Sequence, residues 1–124
     1  MHFLLLIYEQ EQRFMSLDQA AFGREVGEYR AFGAQHASAI KGSHALQPTN
    51  AAKTVRVRDG KPLMTDGPFA ETKEQLGGYF LVEANSIDEA AQIAAGIPGA
   101  RFGCVEVRPI MTFSLRPMPT GVSE

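Results

Sequence analysis

This chain of 124 residues contains one cysteine, no tryptophan and no long apolar run. The single Cys104 excludes an internal framework of disulfide bonds. No apolar stretch approaches the roughly 20 residues that a membrane-spanning helix needs, so no membrane partner is expected. The apolar opening at residues 3–7 is too short for a secretion signal and lacks a basic segment before it. We therefore expect a cytoplasmic protein.

An excess of positive charge is also missing. The 12 basic and 14 acidic residues give a net charge of −2, whereas a nucleic-acid-binding surface usually needs a basic excess. The sequence has no Walker loop, no dinucleotide fingerprint, no zinc-spaced cysteines and no nucleophile elbow. Gly77-Gly78 is a weak phosphate signal and is more typical of a tight entry into a strand. We predict no direct nucleic-acid partner, no cofactor and no metal.

The hydrophobic patterns predict an α+β domain over residues 1–110, followed by an extended tail at 111–124. The predicted elements are a strand at 2–8, a helix from about 17 to about 42, a hairpin at 54–65 that turns at Asp59-Gly60, a strand at 78–83, a helix from 86 to 97 and a strand at 102–107. Residues 9–13 and 42–53 are predicted as irregular connections. Capping boxes, Ser16 with Gln19 and Ser86 with Glu89, mark the helix starts. This order predicts a ferredoxin-like βαββαβ fold with an extra hairpin strand.

The two faces of the predicted sheet are expected to pack against different partners. Alternate residues of a strand point to opposite faces, and we assign one set to the helices: Phe3, Leu5, Ile7, Phe80, Val82, Val105 and Val107. The other set is Leu4, Leu6, Tyr8, Tyr79, Leu81, Phe102 and Cys104. That face is too apolar to remain in water, so it predicts a homodimer in which two subunits bury these faces against each other. The alternative is a monomer whose tail covers the face.

The candidate functional residues concentrate between Thr65 and Tyr79. Asp66-Gly67-Pro68 cannot continue regular structure, because glycine frees the backbone while proline fixes φ and removes a donor. Phe69 is expected to pin this loop. The loop then presents the charged and hydroxyl side chains of Asp66, Glu71, Thr72, Lys73 and Glu74.

The run Asp66-Gly67-Pro68-Phe69, followed by Glu71-Thr72-Lys73-Glu74-Gln75, resembles the DGPF-motif branch of the YCII-related proteins. The resemblance extends over about residues 2–110. It implies a dimeric α/β-barrel architecture. By analogy with better-known members it also implies a catalytic His–Asp dyad, in which Asp66 is the aspartate. A second implication is a non-catalytic regulatory protein whose partner is an extracytoplasmic-function sigma factor.

Asp66 and its neighbours each have a structural alternative. Asp66 is a general base or ligand acceptor in a dimer cleft, or it caps its own turn. His44 is the candidate partner of Asp66, or else a surface or hydrogen-bonded structural histidine. The charged run either is a solvated turn or forms a polar rim around a small polar or anionic metabolite. In that rim Lys73 holds an anionic group, Thr72 supplies a hydroxyl, and Glu71 or Glu74 fixes Lys73 or Arg56.

Two tyrosines and the cysteine fall on the predicted dimer face. Tyr8 and Tyr79 suit an interface or a ligand pocket equally well, since each buries a ring and keeps a polar tip. Cys104 is expected to be a small buried hydrophobe rather than a nucleophile. The sequence thus predicts a dimeric small-molecule enzyme or binder that uses Asp66. A regulatory protein and a purely structural homodimer are the alternatives.

Overall fold

The computed structural model of the protein describes residues 1–112, so most of the predicted tail lies outside the described residues. The helices are α1 (Glu11–Met15), α2 (Gln19–Gln35) and α3 (Ile87–Ala94). The strands are β1 (His2–Glu9), β2 (Ile40–Ala45), β3 (Lys53–Arg58), β4 (Lys61–Asp66), β5 (Gln75–Glu83) and β6 (Cys104–Pro109). Short 3-10 turns occupy Thr49–Ala51 and Pro98–Arg101.

Four strands form one antiparallel sheet in the order β2-β5-β1-β6. This is the ferredoxin-like arrangement, and the predicted fold class is confirmed. The second strand of that sheet is β2, however, in a segment that was predicted to be irregular. The prediction was wrong because Ile40–Ala45 is mostly small and polar and shows no alternation. Its pairing with β5, in which His44 lies opposite Tyr79, makes it a strand.

The predicted hairpin exists, but it stands apart from the main sheet. Strands β3 and β4 pair only with each other among the described residues and form a two-stranded sheet. Asp59 and Gly60 make its turn with φ values of 51° and 75°, as the sequence predicted. The hairpin is therefore an insertion between the second and third strands of the ferredoxin-like sheet.

The core lies between one face of the main sheet and the helices. Phe3, Leu5 and Val82 have no exposed surface, and Phe80, Val105 and Val107 pack against the core from their strands. Helix α2 contributes Phe32, and the segment through α3 contributes Ala90, Ile93, Ala94 and Ile97. The predicted assignment of this face to the helices is thereby confirmed. Burial of apolar surface at about 25 cal/mol per Å² is what holds the two layers together.

The helix boundaries correct two predictions. Residues 11–15 form α1, although residues 9–13 were predicted to be a connection, and α2 begins at Gln19 rather than near residue 17. Asp18 is the N-cap of α2 because its carboxylate accepts the Ala21 N–H at 2.7 Å. The Ser16 hydroxyl instead donates to the Gln12 and Arg13 carbonyls and closes α1.

The opposite side of the main sheet is called the open face here. It comprises Leu4, Leu6 and Tyr8 of β1 with their cross-strand neighbours, among them Tyr79, Leu81, Cys104, Glu106 and Arg108. The leucines and tyrosines are half-buried, and Cys104 is exposed in the protomer rather than buried as predicted. Phe102 was wrongly assigned to this face. It precedes β6, and the centroid of its ring lies 3.9 Å from Arg13 Cζ, so the ring stacks on the guanidinium.

Candidate functional site

The signature loop, residues 67–74, follows β4 and is tied to the hairpin. Gly67 donates its N–H to the Ala52 carbonyl at 2.7 Å, and the Thr54 hydroxyl donates to the Gly67 carbonyl at 2.9 Å. Asp66, the last residue of β4, accepts a hydrogen bond from Lys53 Nζ at 2.6 Å. Its carboxylate is 85% exposed. Asp66 therefore pairs with the neighbouring strand.

A polar groove of about 460 Å³ runs beside the signature loop. Glu71, Thr72 and Lys73 line it together with Glu11 and Gln75. Side chains hold the loop by hydrogen bonds to its carbonyl groups: the Thr72 hydroxyl donates to the Glu74 carbonyl, and the Gln75 side-chain amide donates to the Ala70 and Thr72 carbonyls. Three of the predicted rim residues thus share one groove.

Phe69 does not pin the loop within the protomer, contrary to the prediction. Its side chain is 81% exposed. Hydrogen bonds from the side chains of Thr54, Thr72 and Gln75 to carbonyl groups of the signature loop hold it instead. Arg56 is likewise exposed on β3, opposite Leu63, and lies outside the residues that line the polar groove.

The predicted dyad residues have different partners in the protomer. His44 Nδ1 lies 2.8 Å from the Tyr79 hydroxyl across β2 and β5, whereas Asp66 is paired with Lys53. Among residues 1–112 no hydrogen bond joins His44 to Asp66. Tyr8 donates to Glu106 Oε1 at 3.3 Å on the open face, where burial and the Glu106 carboxylate raise the pKa of Tyr8. Glu74 of the loop faces Cys104, with its Oε1 at 4.0 Å from Sγ.

A larger cavity of about 650 Å³, the helix cavity, lies between the helices α1 and α2 and the strands β1, β2 and β5. Its wall is mostly apolar, with Ile7, Phe14, Phe22, Val26 and Phe80 among the lining residues. Residues 43–45 of β2 and 77–80 of β5 complete its wall, and Glu11 and Gln75 are shared with the polar groove. The two hollows therefore adjoin each other. A volume of this size is typical of small-molecule sites.

Two carboxylates in the cavity wall are largely shielded from water, because only 12% of the Glu9 side chain and 7% of the Glu25 side chain are exposed. We call Glu9, Arg13, Glu25 and Tyr29 the buried cluster. Arg13 Nη2 donates to Glu9 Oε1 at 3.0 Å and to both carboxylate oxygens of Glu25 at 3.0 and 3.1 Å. Only 5% of the Glu25 residue is exposed. A buried charge is costly unless it is paired, and Arg13 supplies that pairing for two carboxylates at once.

The electrostatics of the buried cluster favour particular protonation states. Burial acts to lower the pKa of Arg13, but the hydrogen bonds to Glu25 and Glu9 outweigh it, so the pKa of Arg13 is raised and the guanidinium stays charged. Burial raises the pKa of Tyr29 to about 12, and the Glu9 carboxylate adds to the shift. The Tyr29 oxygen accepts the Gly99 N–H at 3.2 Å. Tyr29 is therefore a protonated phenol at neutral pH.

The buried cluster was not predicted from the sequence, although the sequence contains one signal of it. In the sequence, Phe22, Val26 and Tyr29 recur at the spacing of one helix face, and Glu25 lies between them, three residues after Phe22 and four before Tyr29. A charged residue on an apolar stripe is buried only if it has a partner. That partner, Arg13, lies in α1, which the pattern did not predict.

The described residues carry no arrangement suited to a metal. Within residues 1–112, no group of three or more histidine, cysteine, aspartate or glutamate side chains converges closely enough to hold an ion. No helix in the same range is long and apolar enough to cross a membrane. Gly78 has a packing role, because a Cβ there would meet the His44 carbonyl oxygen at 2.9 Å, whereas a Cβ at Gly77 would meet nothing within 4 Å.

Comparison with known proteins gives a family and a fold. The sequence profile of the YCII-related domain matches residues 1–114. An uncharacterized protein of Rhizobium meliloti (strain 1021) is 43% identical over 77 residues, which span 60% of this chain and 62% of that protein. The solved structure of 5-chloro-2-hydroxyhydroquinone dehydrochlorinase from Burkholderia phenoliruptrix, in complex with 2,5-dihydroxybenzoquinone, matches with a TM-score of 0.55 and 12% identity over 94% of this chain and 100% of that chain. At such low identity the likeness shows a shared fold alone.

Proposed function

The chain belongs to the YCII-related domain family, and from that premise we propose that it binds a small organic molecule in the helix cavity and acts on it as an enzyme or a binder. The observation that carries the proposal is the cavity itself, about 650 Å³ of largely apolar wall with a hydrogen-bonded charged cluster in it. Ligand sites commonly combine an apolar wall with a few fixed polar groups. The dehydrochlorinase of the same fold, whose structure contains a small quinone, is consistent with this function.

The adjoining polar groove gives the signature loop a part in the same site. A molecule that fills the helix cavity and extends past Glu11 and Gln75 reaches Glu71, Thr72 and Lys73. The Lys73 ammonium would then hold an anionic or polar substituent, as the sequence predicted. Glu74, which ends the loop, stays a predicted contributor to that rim.

Asp66 stays the proposed acid or base, with His44 as its proposed partner, on one condition. A general base must be withdrawn from bulk water to be effective, and the Asp66 carboxylate is 85% exposed in the protomer. A second subunit would have to cover it and bring a histidine near. Tyr8 and Tyr79 on the open face are the proposed contacts at that subunit boundary.

A homodimer is the second part of the proposal. Within residues 1–112 no element covers the open face, whose leucines and tyrosines are only half-buried. Burying them against a second copy removes apolar surface from water, which is the main force in association. A single sedimenting species of monomer mass at micromolar concentration would overturn this part. The predicted cover by the tail concerns residues outside the described range.

The regulatory alternative stays a prediction without support from the comparisons, since none of the matching proteins reported above has a name that mentions a sigma factor. The cytoplasmic location also stays a prediction.

The test of the proposed function blocks the helix cavity and asks whether a ligand is lost. Val26 lines the cavity from α2, so Val26→Phe fills part of it. Ala34→Phe adds the same ring to an exposed position of the same helix and serves as the matched control. Small molecules retained by each purified protein are identified by native mass spectrometry, followed by release and chromatography.

We expect wild type and Ala34→Phe to retain the same molecule and Val26→Phe to retain much less, with all three folded by circular dichroism. Equal retention by the two phenylalanine variants, or retention by none of the proteins together with no thermal shift from a metabolite library, would contradict binding in the helix cavity.

A further inference from the structure

We propose that the buried cluster recognises an uncharged hydroxyl group carried by a ring-sized apolar molecule, and that it disfavours anions at this part of the cavity. The inference rests on the proposed binding of a small molecule in the helix cavity and goes beyond it, because it names the chemical class of the ligand and the residues that select it. Glu25 and Tyr29 are the selecting residues, and Arg13 positions Glu25.

The cavity wall suits an aromatic or alicyclic ring. Phe14 and Phe22 lie with their ring centroids 5.4 Å apart on the helix side, and Phe80 lies on the strand side. Aromatic side chains pack favourably against another ring in offset or edge-to-face arrangements. A flat apolar ring that displaces water from this wall is therefore bound favourably.

The charges that border the cavity oppose an anion. Glu9, Glu11, Glu25 and Arg30 line it, and Arg13 is bonded to two of these carboxylates. Three carboxylates and two guanidinium groups leave one negative charge in excess among them. Glu11 is occupied by the Thr49 N–H at 2.7 Å and the Thr49 hydroxyl at 2.9 Å. A carboxylate or phosphate brought beside Glu25 would meet a like charge in a region of low dielectric.

The hydrogen bonds of the cluster leave the Glu25 carboxylate able to accept from a ligand and the Tyr29 hydroxyl able to donate to one. Each Glu25 oxygen accepts a hydrogen bond from Arg13 and, as a carboxylate oxygen, keeps a further lone pair. The Tyr29 oxygen accepts from Gly99, and its own hydrogen has no acceptor among residues 1–112. Because the pKa of Tyr29 is raised to about 12, that hydrogen is present at neutral pH.

Glu25 and Tyr29 are four residues apart on α2, so their side chains lie on the same helix face. A hydroxyl group is the simplest ligand group that donates one hydrogen bond and accepts another. It can donate to Glu25 and accept from Tyr29, and it carries no charge that would have to be desolvated. An ether or a ketone could only accept, and a hydrocarbon could do neither.

The test uses three probes of similar size, namely toluene, para-cresol and benzoate, with dissociation constants measured by ligand-observed NMR at pH 7. A hydrogen bond to a charged group strengthens binding by at least about tenfold, so para-cresol should bind wild type at least about tenfold more tightly than toluene. Benzoate should bind more weakly than para-cresol. Glu25→Met and Tyr29→Phe should each remove most of the preference for para-cresol over toluene while leaving toluene binding in place.

Glu28→Gln is the matched control. Glu28 lies on the same helix, is exposed, and pairs with Arg101 outside the cavity lining. It should keep the wild-type order of the three probes. Equal affinity of wild type for toluene and para-cresol, or a preference that survives both Glu25→Met and Tyr29→Phe, would overturn this inference and leave the helix cavity as a binding site. Failure of all three probes to bind would overturn the proposed function as well as this inference.

Discussion

Opposite charges meet in two regions of this protein at similar distances, and the two regions differ in their access to water. In the buried cluster, Arg13 and Glu25 are 3.0 Å apart, with 26% and 7% of their side chains exposed. At the foot of the hairpin, Lys53 and Asp66 are 2.6 Å apart, with 68% and 85% of their side chains exposed. Exposed pairs contribute about 0–1 kcal/mol, whereas breaking a buried pair costs several times more. The conspicuous Asp66 should thus be easy to replace structurally, and the inconspicuous Arg13 should not.

The largest effect is expected from Arg13→Met. This change keeps the volume of the stem and removes the guanidinium, so it leaves Glu9 and Glu25 facing each other without a cation. We expect the free energy of unfolding to fall by about 3 kcal/mol at pH 7, measured by urea denaturation. A loss smaller than about 1 kcal/mol would show that the cluster is no more important than the exposed pair.

A smaller effect, about 1–3 kcal/mol, is expected from Gly99→Ala. A Cβ at Gly99 would lie 2.8 Å from Tyr29 Oη, 2.9 Å from Glu9 Oε2 and 3.0 Å from Ile7 Cγ2, so the buried cluster must shift. Gly96→Ala is the matched control, because a Cβ there meets its nearest neighbour at an ordinary 3.4 Å. Thermal unfolding of the two variants should differ, with only Gly99→Ala markedly lower. Equal midpoints would contradict the tight packing of the cluster.

The titration of Tyr29 tests the burial of the same cluster through ionisation, whereas Gly99→Ala tests it through added volume. The three tyrosines of the chain can be followed by ultraviolet absorbance. Tyr29 should ionise near pH 12, and Tyr29→Phe should remove that step. The pKa of Tyr29 is higher in the folded chain than the ordinary 10. Between about pH 10 and about pH 12 the folded state therefore keeps a proton that the unfolded state has lost. Stability should therefore fall with rising pH from about 10 to about 12 and be unaffected by Tyr29 below that range.

The smallest effect on stability is expected from Asp66→Asn. Its ion pair with Lys53 is exposed, so the free energy of unfolding should change by less than about 1 kcal/mol. Lys53→Met is the matched control for loss of the pair. If Asp66 is the acid or base at a dimer cleft, Asp66→Asn should abolish activity or ligand response while Lys53→Met does not. A large loss of stability in Asp66→Asn would instead show a structural role that the protomer does not reveal.

The sequence predicted those parts of the fold that depend on alternating apolar residues, on turn-forming residues or on a side chain that caps a helix. The buried and open faces of β1, the Asp59-Gly60 turn and the Ser86 cap, whose hydroxyl accepts the Glu89 N–H at 3.1 Å, depend on local patterns. It missed β2 and α1, because an edge strand of small polar residues and a five-residue helix are formed by tertiary contacts.

The candidate site was predicted only in part for the same reason. Turn chemistry and charge made the signature loop visible from sequence, and Glu71, Thr72 and Lys73 do line a common groove. The buried cluster joins residues of β1, α1 and α2, and no local pattern encodes such a meeting. Phe69 shows the converse error, since an aromatic residue in a loop was taken as an anchor and is 81% exposed in the protomer.

A crystal structure of the protein taken from cells without added ligand would show whether the helix cavity holds a ligand. We expect electron density for a small molecule in the helix cavity, beside Glu25 and Tyr29. Density confined to the polar groove beside Lys73, with the helix cavity holding only water or collapsed around its aromatic side chains, would contradict it.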